Sequence, residues 1–176
     1  MYEPKQIHLM IMGGTIDAHW DGKKDTAIMN EQSAIAPYFK ELILYVDLKV
    51  SEVCLKDSRE LGEEDLQKLL EEIERSVSTR IVVTHGTYTM PDTARYLKYM
   101  LKRKDQTIVF TGSMVPLLGF SSNYSDATYN LGYAFAKAED LSPGIYLAIN
   151  GRVFDPDEVG KNLKEGKFYS VFDLKQ

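Results

Sequence analysis

The sequence predicts an α/β fold: a doubly wound, mostly parallel sheet with helices on both faces, of the flavodoxin or Rossmann-like kind. Three observations predict it. Short apolar runs alternate with amphipathic stretches of roughly 10–15 residues. Several apolar runs end in glycine-containing loops rich in Thr and Ser, the form that strand ends take where a parallel sheet binds ligands. The composition, 176 residues with 44% hydrophobic and 27% charged, is that of an ordinary globular domain long enough to bury its own core.

Residues 7–12 read as a first strand, turned by Gly13-Gly14. Residues 17–30, with Asp21-Gly22-Lys23-Lys24-Asp25 at their centre, read as a polar loop or hairpin. Ser33 caps a short helix expected to reach Leu44, with Pro37 in its first turn. A strand over 47–55 alternates at Leu48 and Val50, then at Val53 and Leu55 after a slip in register. The plainest helix follows Gly62: its first turn is acidic (Glu63-Glu64-Asp65), and Leu66, Leu69, Leu70 and Ile73 share one face. Strand 80–84 precedes a helix that starts at Pro91, where the missing N–H costs nothing, and turns Ala94, Leu97 and Leu101 inward. Strand 107–111 ends in Gly112-Ser113-Met114-Val115-Pro116. A mixed loop over 117–124 leads to a helix opened by Ser125-Asp126 and running to about Ala138, then to strand 144–149. Asn150-Gly151 is a turn signal, and 152–154 a short return strand. Residues 155–167 read as a polar segment in which a lysine is solvated by default. There is no internal repeat and no linker.

Charge and cysteine content narrow the function classes. The net charge of −5 and the absence of any Lys/Arg cluster argue against nucleic acid as a partner. One cysteine, Cys54, permits no intrachain disulfide and no paired thiolate metal site. His8, His19 and His85 show no ligand spacing, so neither metal nor cofactor is expected. No apolar run approaches the ~20 residues needed to span a bilayer, and the polar start at 1–6 is no signal segment. The expectation is a cytoplasmic protein without a membrane partner.

The chemistry gathers in the loops. Gly13-Gly14-Thr15-Ile16 lets the backbone turn sharply, approach a ligand and place a hydroxyl at the sheet edge. It is not a phosphate loop, since no Gly-Lys-Ser/Thr follows. Thr84-His85-Gly86-Thr87-Tyr88-Thr89-Met90 packs hydroxyls against a helix start whose N–H groups favour a carboxylate or oxyanion. His85, beside a strand end, is more often structural than catalytic. In Lys56-Asp57-Ser58-Arg59, Ser58 suits a carboxylate and Asp57 an ammonium group, although taken alone a charged cap before the helix at Glu63 is the better reading.

In that order and combination, Gly13-Gly14-Thr15-Ile16, Asp57-Ser58, Thr84-His85-Gly86-Thr87-x-Thr89-Met90 with Thr93-Ala94, Gly112-Ser113-Met114-x-Pro116 and Asp126 through Leu131 resemble the bacterial-type L-asparaginase/glutaminase family. The likeness runs from about Ile7 to Phe172. It implies threonine amidohydrolase chemistry on L-asparagine or a similar amide. Thr15 matches the nucleophile, Thr87 the second catalytic threonine, and Lys161, in Glu158-Val159-Gly160-Lys161-Asn162, the catalytic lysine. Ser58 and Arg59 match substrate-binding positions, with Gly14, Gly86, Tyr88 and Ser113 beside them. The resemblance also implies a homo-oligomer.

Two departures stand out. The family writes Thr-His-Gly-Thr-Asp-Thr, its aspartate orienting the lysine and meeting the substrate's ammonium group; here Tyr88 offers a hydroxyl but no charge at neutral pH. The family's flexible lid supplies a tyrosine, whereas residues 17–30 carry Trp20 and none. Length differs too: the expectation is one N-terminal-type domain over 1–176, without the family's smaller C-terminal domain. The alternative to a hydrolase is a non-catalytic amino-acid or amide-binding module of the same descent. A tRNA-linked amidotransferase subunit, whose catalytic domain is similar, fits the acidic charge less well.

Overall fold

The computed structural model describes residues 5–118 and 124–173. Strand β1 (Gln6–Gly13) is buried from Ile7 to Gly13, as a strand must be when both sheet faces are covered. After a 3-10 turn at Thr15–Asp17, β2 (Ala18–Asp21) and β3 (Thr26–Met29) pair as an antiparallel hairpin. Its turn closes because the Asp21 carboxylate accepts the backbone N–H groups of Lys23 and Lys24 at 2.8 and 3.3 Å.

Helix α1 (Ile35–Lys40) begins where Ser33 Oγ accepts the Ile35 N–H at 3.1 Å. It stops four residues short of Leu44. Ile43 continues the apolar spacing of Ile35 and Phe39 yet is 90% exposed. A helix this short is held by packing rather than propensity, and the packing ends with Phe39, stacked on Phe135 at 4.7 Å.

Strand β4 (Asp47–Lys56) runs parallel to β1. The slip read in its alternation is a bulge: Ile11 pairs with Glu52, but Gly13 pairs with Lys56. Val53 is thereby turned to the opposite face from Leu48. Helix α2 (Glu63–Arg75) is capped by Asp65, whose carboxylate accepts the Gly62 N–H at 2.9 Å and meets Lys56 Nζ at 2.8 Å. Then follow β5 (Arg80–Thr84), α3 (Met90–Met100), β6 (Thr107–Thr111), α4 (Ala127–Asp140), β7 (Gly144–Ile149) and β8 (Arg152–Phe154). Part of the loop expected over 117–124 lies outside the described residues.

The polar segment over 155–167 is corrected by the structure. It contains β9 (Val159–Asn162), which pairs antiparallel with β10 (Lys167–Ser170). Val159 is buried and Phe168 packs on the main core, so two apolar anchors hold a hairpin whose other residues are polar. That pattern is too sparse to register as strand alternation.

The main sheet has the order β4-β1-β5-β6-β7-β8, parallel throughout except for β8. Met10, Val83, Phe110 and Leu147 face α2 and α3 through Leu69, Ile73, Ala94 and Leu97. Ile7, Leu9, Val82 and Val109 face α1 and α4 through Phe39, Leu131 and Ala134. The chain leaves β1 for β4 on one side and then returns to β5 on the other. The crevice beyond the carboxyl ends of β1 and β5 is therefore the topological switch point, where open α/β sheets bind ligands.

Candidate active site

The loops leaving β1 and β5 almost touch. A Cβ on Gly14 would fall 2.2 Å from Gly86 Cα, and one on Gly86 would fall 2.6 Å from Ser58 Oγ. Gly14 also has φ of +84°, so both space and backbone require glycine there. The Gly14 N–H donates to the Lys56 carbonyl at 2.9 Å, and the Thr89 hydroxyl donates to the Ser58 carbonyl at 2.8 Å. Three loops, following β1, β4 and β5, are thus stitched into one wall.

Behind that wall is a cavity of about 200 Å³. Of the nine residues expected at the site, eight line it: Gly14 and Thr15 from the first loop, Ser58 and Arg59 from the second, Gly86, Thr87 and Tyr88 from the third, and Lys161 from β9. Ser113 does not. It is fully buried, and its hydroxyl donates to the Val115 carbonyl at 2.6 Å, so it shapes the loop behind the cavity. Asp57 and Met114 complete the lining.

Lys161 Nζ lies 2.7 Å from Thr87 Oγ1 and 5.7 Å from the centre of the Phe168 ring. Burial pushes its pKa below the ordinary lysine value, and among the described residues no carboxylate sits within ion-pair distance to oppose that. Thr87 is itself buried, with Met114 Sδ 3.8 Å from its hydroxyl. The result is a hydroxyl held against an amine whose charged form burial disfavours, in a cavity that a second threonine, Thr15, also lines. Such a pair can move a proton while another group attacks.

The other end of the cavity is ionic. Asp57 is joined to Arg59 by a forked pair, Oδ1 to Nε at 3.0 Å and Oδ2 to NH2 at 2.6 Å, and Oδ1 also accepts the Arg59 backbone N–H at 2.9 Å. The guanidinium hydrogen bonds hold the Asp57 carboxyl below the usual carboxylate range. Arg59 also lies over the Tyr88 ring, 5.8 Å from its centre.

Supporting residues were less visible in the sequence. Asn130, fully buried on α4, donates to the Gly112 carbonyl at 2.9 Å and to Asp126 at 3.1 Å, and accepts the Asn150 N–H at 2.8 Å. Asp126 accepts the N–H groups of Met114 and Val115 at about 3 Å. Together they pin the loop that presents Met114. The available signal was an amide on the inward face of α4, next to Leu131. Arg95, on α3, donates to the Val159 carbonyl at 2.8 Å and so anchors the strand that carries Lys161.

The histidines are placed as structural groups. His8 bridges Ser76 and Ser51 at 2.8 Å each. His85 donates Nδ1–H to the Gly86 carbonyl at 2.8 Å, and does not line the cavity. Burial lowers each pKa to about 4. Cys54 is half-buried, and its thiol is pushed up to about 11. Among the described residues, no three His, Cys, Asp or Glu side chains converge as metal ligands, and no helix is long and apolar enough to cross a membrane.

Residues 6–167 match the family model "Asparaginase, N-terminal". L-asparaginase 1 of Escherichia coli is 29% identical over 171 residues, which cover 93% of this chain and 49% of that protein. L-asparaginase of Thermococcus kodakarensis is 37% identical over 81 residues, 46% of this chain and 24% of the relative. Among solved structures, L-asparaginase I of Vibrio cholerae superposes with a TM-score of 0.80 at 22% identity, covering 96% of this chain and 52% of its own, a likeness of fold. A probable cytoplasmic L-asparaginase of Campylobacter jejuni gives a TM-score of 0.76 at 26% identity, with 94% and 53% covered. The chain spans at most about half the length of these curated relatives. With its mostly parallel sheet, its two threonine loops at the switch point and a family match over almost its whole length, the chain belongs to the asparaginase family.

Proposed function

We propose that the chain is an amidohydrolase domain that cleaves a side-chain amide, such as that of L-asparagine, to the acid and ammonia. The observation that carries this reading is the contact of Lys161 Nζ with Thr87 Oγ1 at 2.7 Å, in a small cavity that Thr15 also lines. Neutral Lys161 takes the proton relayed through the Thr87 hydroxyl, the Thr15 hydroxyl attacks the amide carbon, and backbone N–H groups of the threonine loops stabilise the oxyanion. Ammonia leaves with a proton returned through Lys161, and water then hydrolyses the threonine ester. Ser58 and Arg59 receive the substrate carboxylate.

The test is ammonia release from L-asparagine by the purified chain, with Thr15→Ala as control. The proposal expects release that the substitution lowers by about 100-fold or more; equal rates for the two proteins would reject it. One observation favours a second reading, a non-catalytic amide-binding module: Tyr88 stands at the cavity where the family resemblance places an aspartate, and among the described residues Lys161 has no carboxylate within ion-pair distance. Calorimetry separates the two, since a binding module takes up the amide with no turnover, and Tyr88→Asp then fails to raise the rate. The proposal extends to association of the chain with copies of itself and to action in the cytoplasm. Sedimentation of the chain and fractionation of its host are the checks.

A further inference from the structure

Met114 lines the cavity without a part in the proposed amide chemistry. Its sulfur nevertheless stands beside the proton path. The Thr87 hydroxyl donates to Met114 Sδ at 3.8 Å while it accepts from Lys161 Nζ at 2.7 Å. A thioether is a weak acceptor, so the hydroxyl proton is lightly held and turns toward Lys161 once that amine is neutral. The sulfur is kept in place from two directions. The Met114 N–H donates to the Asp126 carboxylate at 3.0 and 3.1 Å, and a Cβ on Gly166, in the turn of the hairpin that carries Lys161, would lie 3.9 Å from Met114 Sδ. Met114 is also reachable. Met10, Met12 and Met90 are at most 1% exposed. Met29, Met100 and Met114 reach solvent, and of these three only Met114 lines the cavity. A cavity that admits an amide admits hydrogen peroxide, a smaller molecule.

Resting on the amidohydrolase reading of the same site, we propose that Met114 is a reversible oxidation site that turns the cavity off. Hydrogen peroxide gives one oxygen atom to the sulfur: an S–O bond forms, the O–O bond breaks, the sulfur loses two electrons, and the rest of the peroxide leaves as water. A dithiol reverses the change, itself becoming a disulfide as the oxygen departs as water. The sulfoxide oxygen is a far better acceptor than the sulfur it replaces. Added on the Thr87 side, it comes within hydrogen-bond distance of that hydroxyl and fixes the proton away from Lys161. It also takes up room in a cavity of about 200 Å³.

The experiment treats the whole chain with hydrogen peroxide and follows sulfoxide at Met114 and Met100 by peptide mapping, beside ammonia release from L-asparagine. Turnover is expected to fall in step with Met114 sulfoxide, to about a hundredth at full conversion, and to return with a dithiol-driven methionine sulfoxide reductase. In Thr15→Ala, which holds the amide without consuming it, L-asparagine should slow oxidation of Met114 but not of Met100. Calorimetry on the same variant should show oxidation weakening L-asparagine binding about tenfold. Met114→Leu, whatever its own rate, should keep that rate through the treatment. Oxidation of Met100 with Met114 untouched, full turnover by a chain carrying Met114 sulfoxide, or an equal loss in Met114→Leu overturns the inference. If the untreated chain releases no ammonia, the amidohydrolase reading fails and calorimetry decides the inference alone. Unchanged affinity after oxidation, or no binding at all, then overturns it.

Discussion

With its Nζ against Thr87 Oγ1 and the Phe168 ring, Lys161 gives up hydration without gaining a counter-ion among the described residues, so its neutral form is reached below the ordinary lysine value of 10.5. A base must lose its proton before it can act. Amide turnover should therefore rise with pH and level off at an inflection below 10.5. A profile that is flat, or that falls, across the alkaline range would remove Lys161 from that role. Thr87→Val removes the hydroxyl proposed to relay the proton and should lower kcat by about 10²–10⁴-fold, the usual worth of a positioned acid–base group. Tyr88→Asp gives Lys161 a nearby anion, which favours the ammonium form, so the same pH profile should shift upward. Most of the lining residues were legible because each sits beside a glycine turn or threonine cluster that local sequence displays. Met114 is not legible as a lining residue, because a methionine in a loop carries no chemical signature. Ser113 resembled a site residue by its neighbours alone, yet its hydroxyl is spent on Val115.

At the scale of elements, the site depends on three strand ends and one distant hairpin. The strand ends were readable from alternation and turn chemistry, even to the slip in β4, where the bulge re-aims Val53. The β9–β10 hairpin was not, because its only strong apolar anchors are Val159 and Phe168, and the burial of Lys161 is made by chain segments far apart in sequence. Arg95 bridges this gap through the Val159 carbonyl. Arg95→Met keeps much of the side-chain packing and removes that bond, so it should reduce turnover more than it reduces stability. Activity measured beside a urea melt checks this, and an unchanged kcat would show that the hairpin holds Lys161 without help. Asn130 serves the other side of the cavity. Asn130→Ala leaves the Gly112 carbonyl and the Asn150 N–H without their partner, at about 1–3 kcal/mol for each buried group left unsatisfied. A lower urea midpoint with an unchanged slope is the expected reading.

Across the whole molecule, the strand order places the first and third parallel strands of the sheet at the switch point, and the two threonine loops meet there because of that order. The order itself was beyond the sequence, which shows that strands exist but not which edges pair. The two buried histidines give the fold a built-in acid limit. Each has a folded pKa of about 4 against an ordinary 6.5, so the unfolded chain binds more protons between these values. Their contribution is present in full above pH 6.5 and is lost as pH falls toward 4, on the order of 3 kcal/mol for each histidine. Thermal melts should show stability declining through that window, and His8→Gln should flatten the decline; an identical slope in the variant would deny His8 its part. The central claim is that the amide is opened at this switch point by Thr15, with Lys161 and Thr87 moving the proton. Rapid acid quench during amide turnover, followed by peptide mapping by mass spectrometry, tests it most directly. The account predicts an acyl ester on the peptide containing Thr15, absent from Thr15→Ala. An ester found on Thr87 instead, or ammonia still released by Thr15→Ala at the full rate, would contradict it.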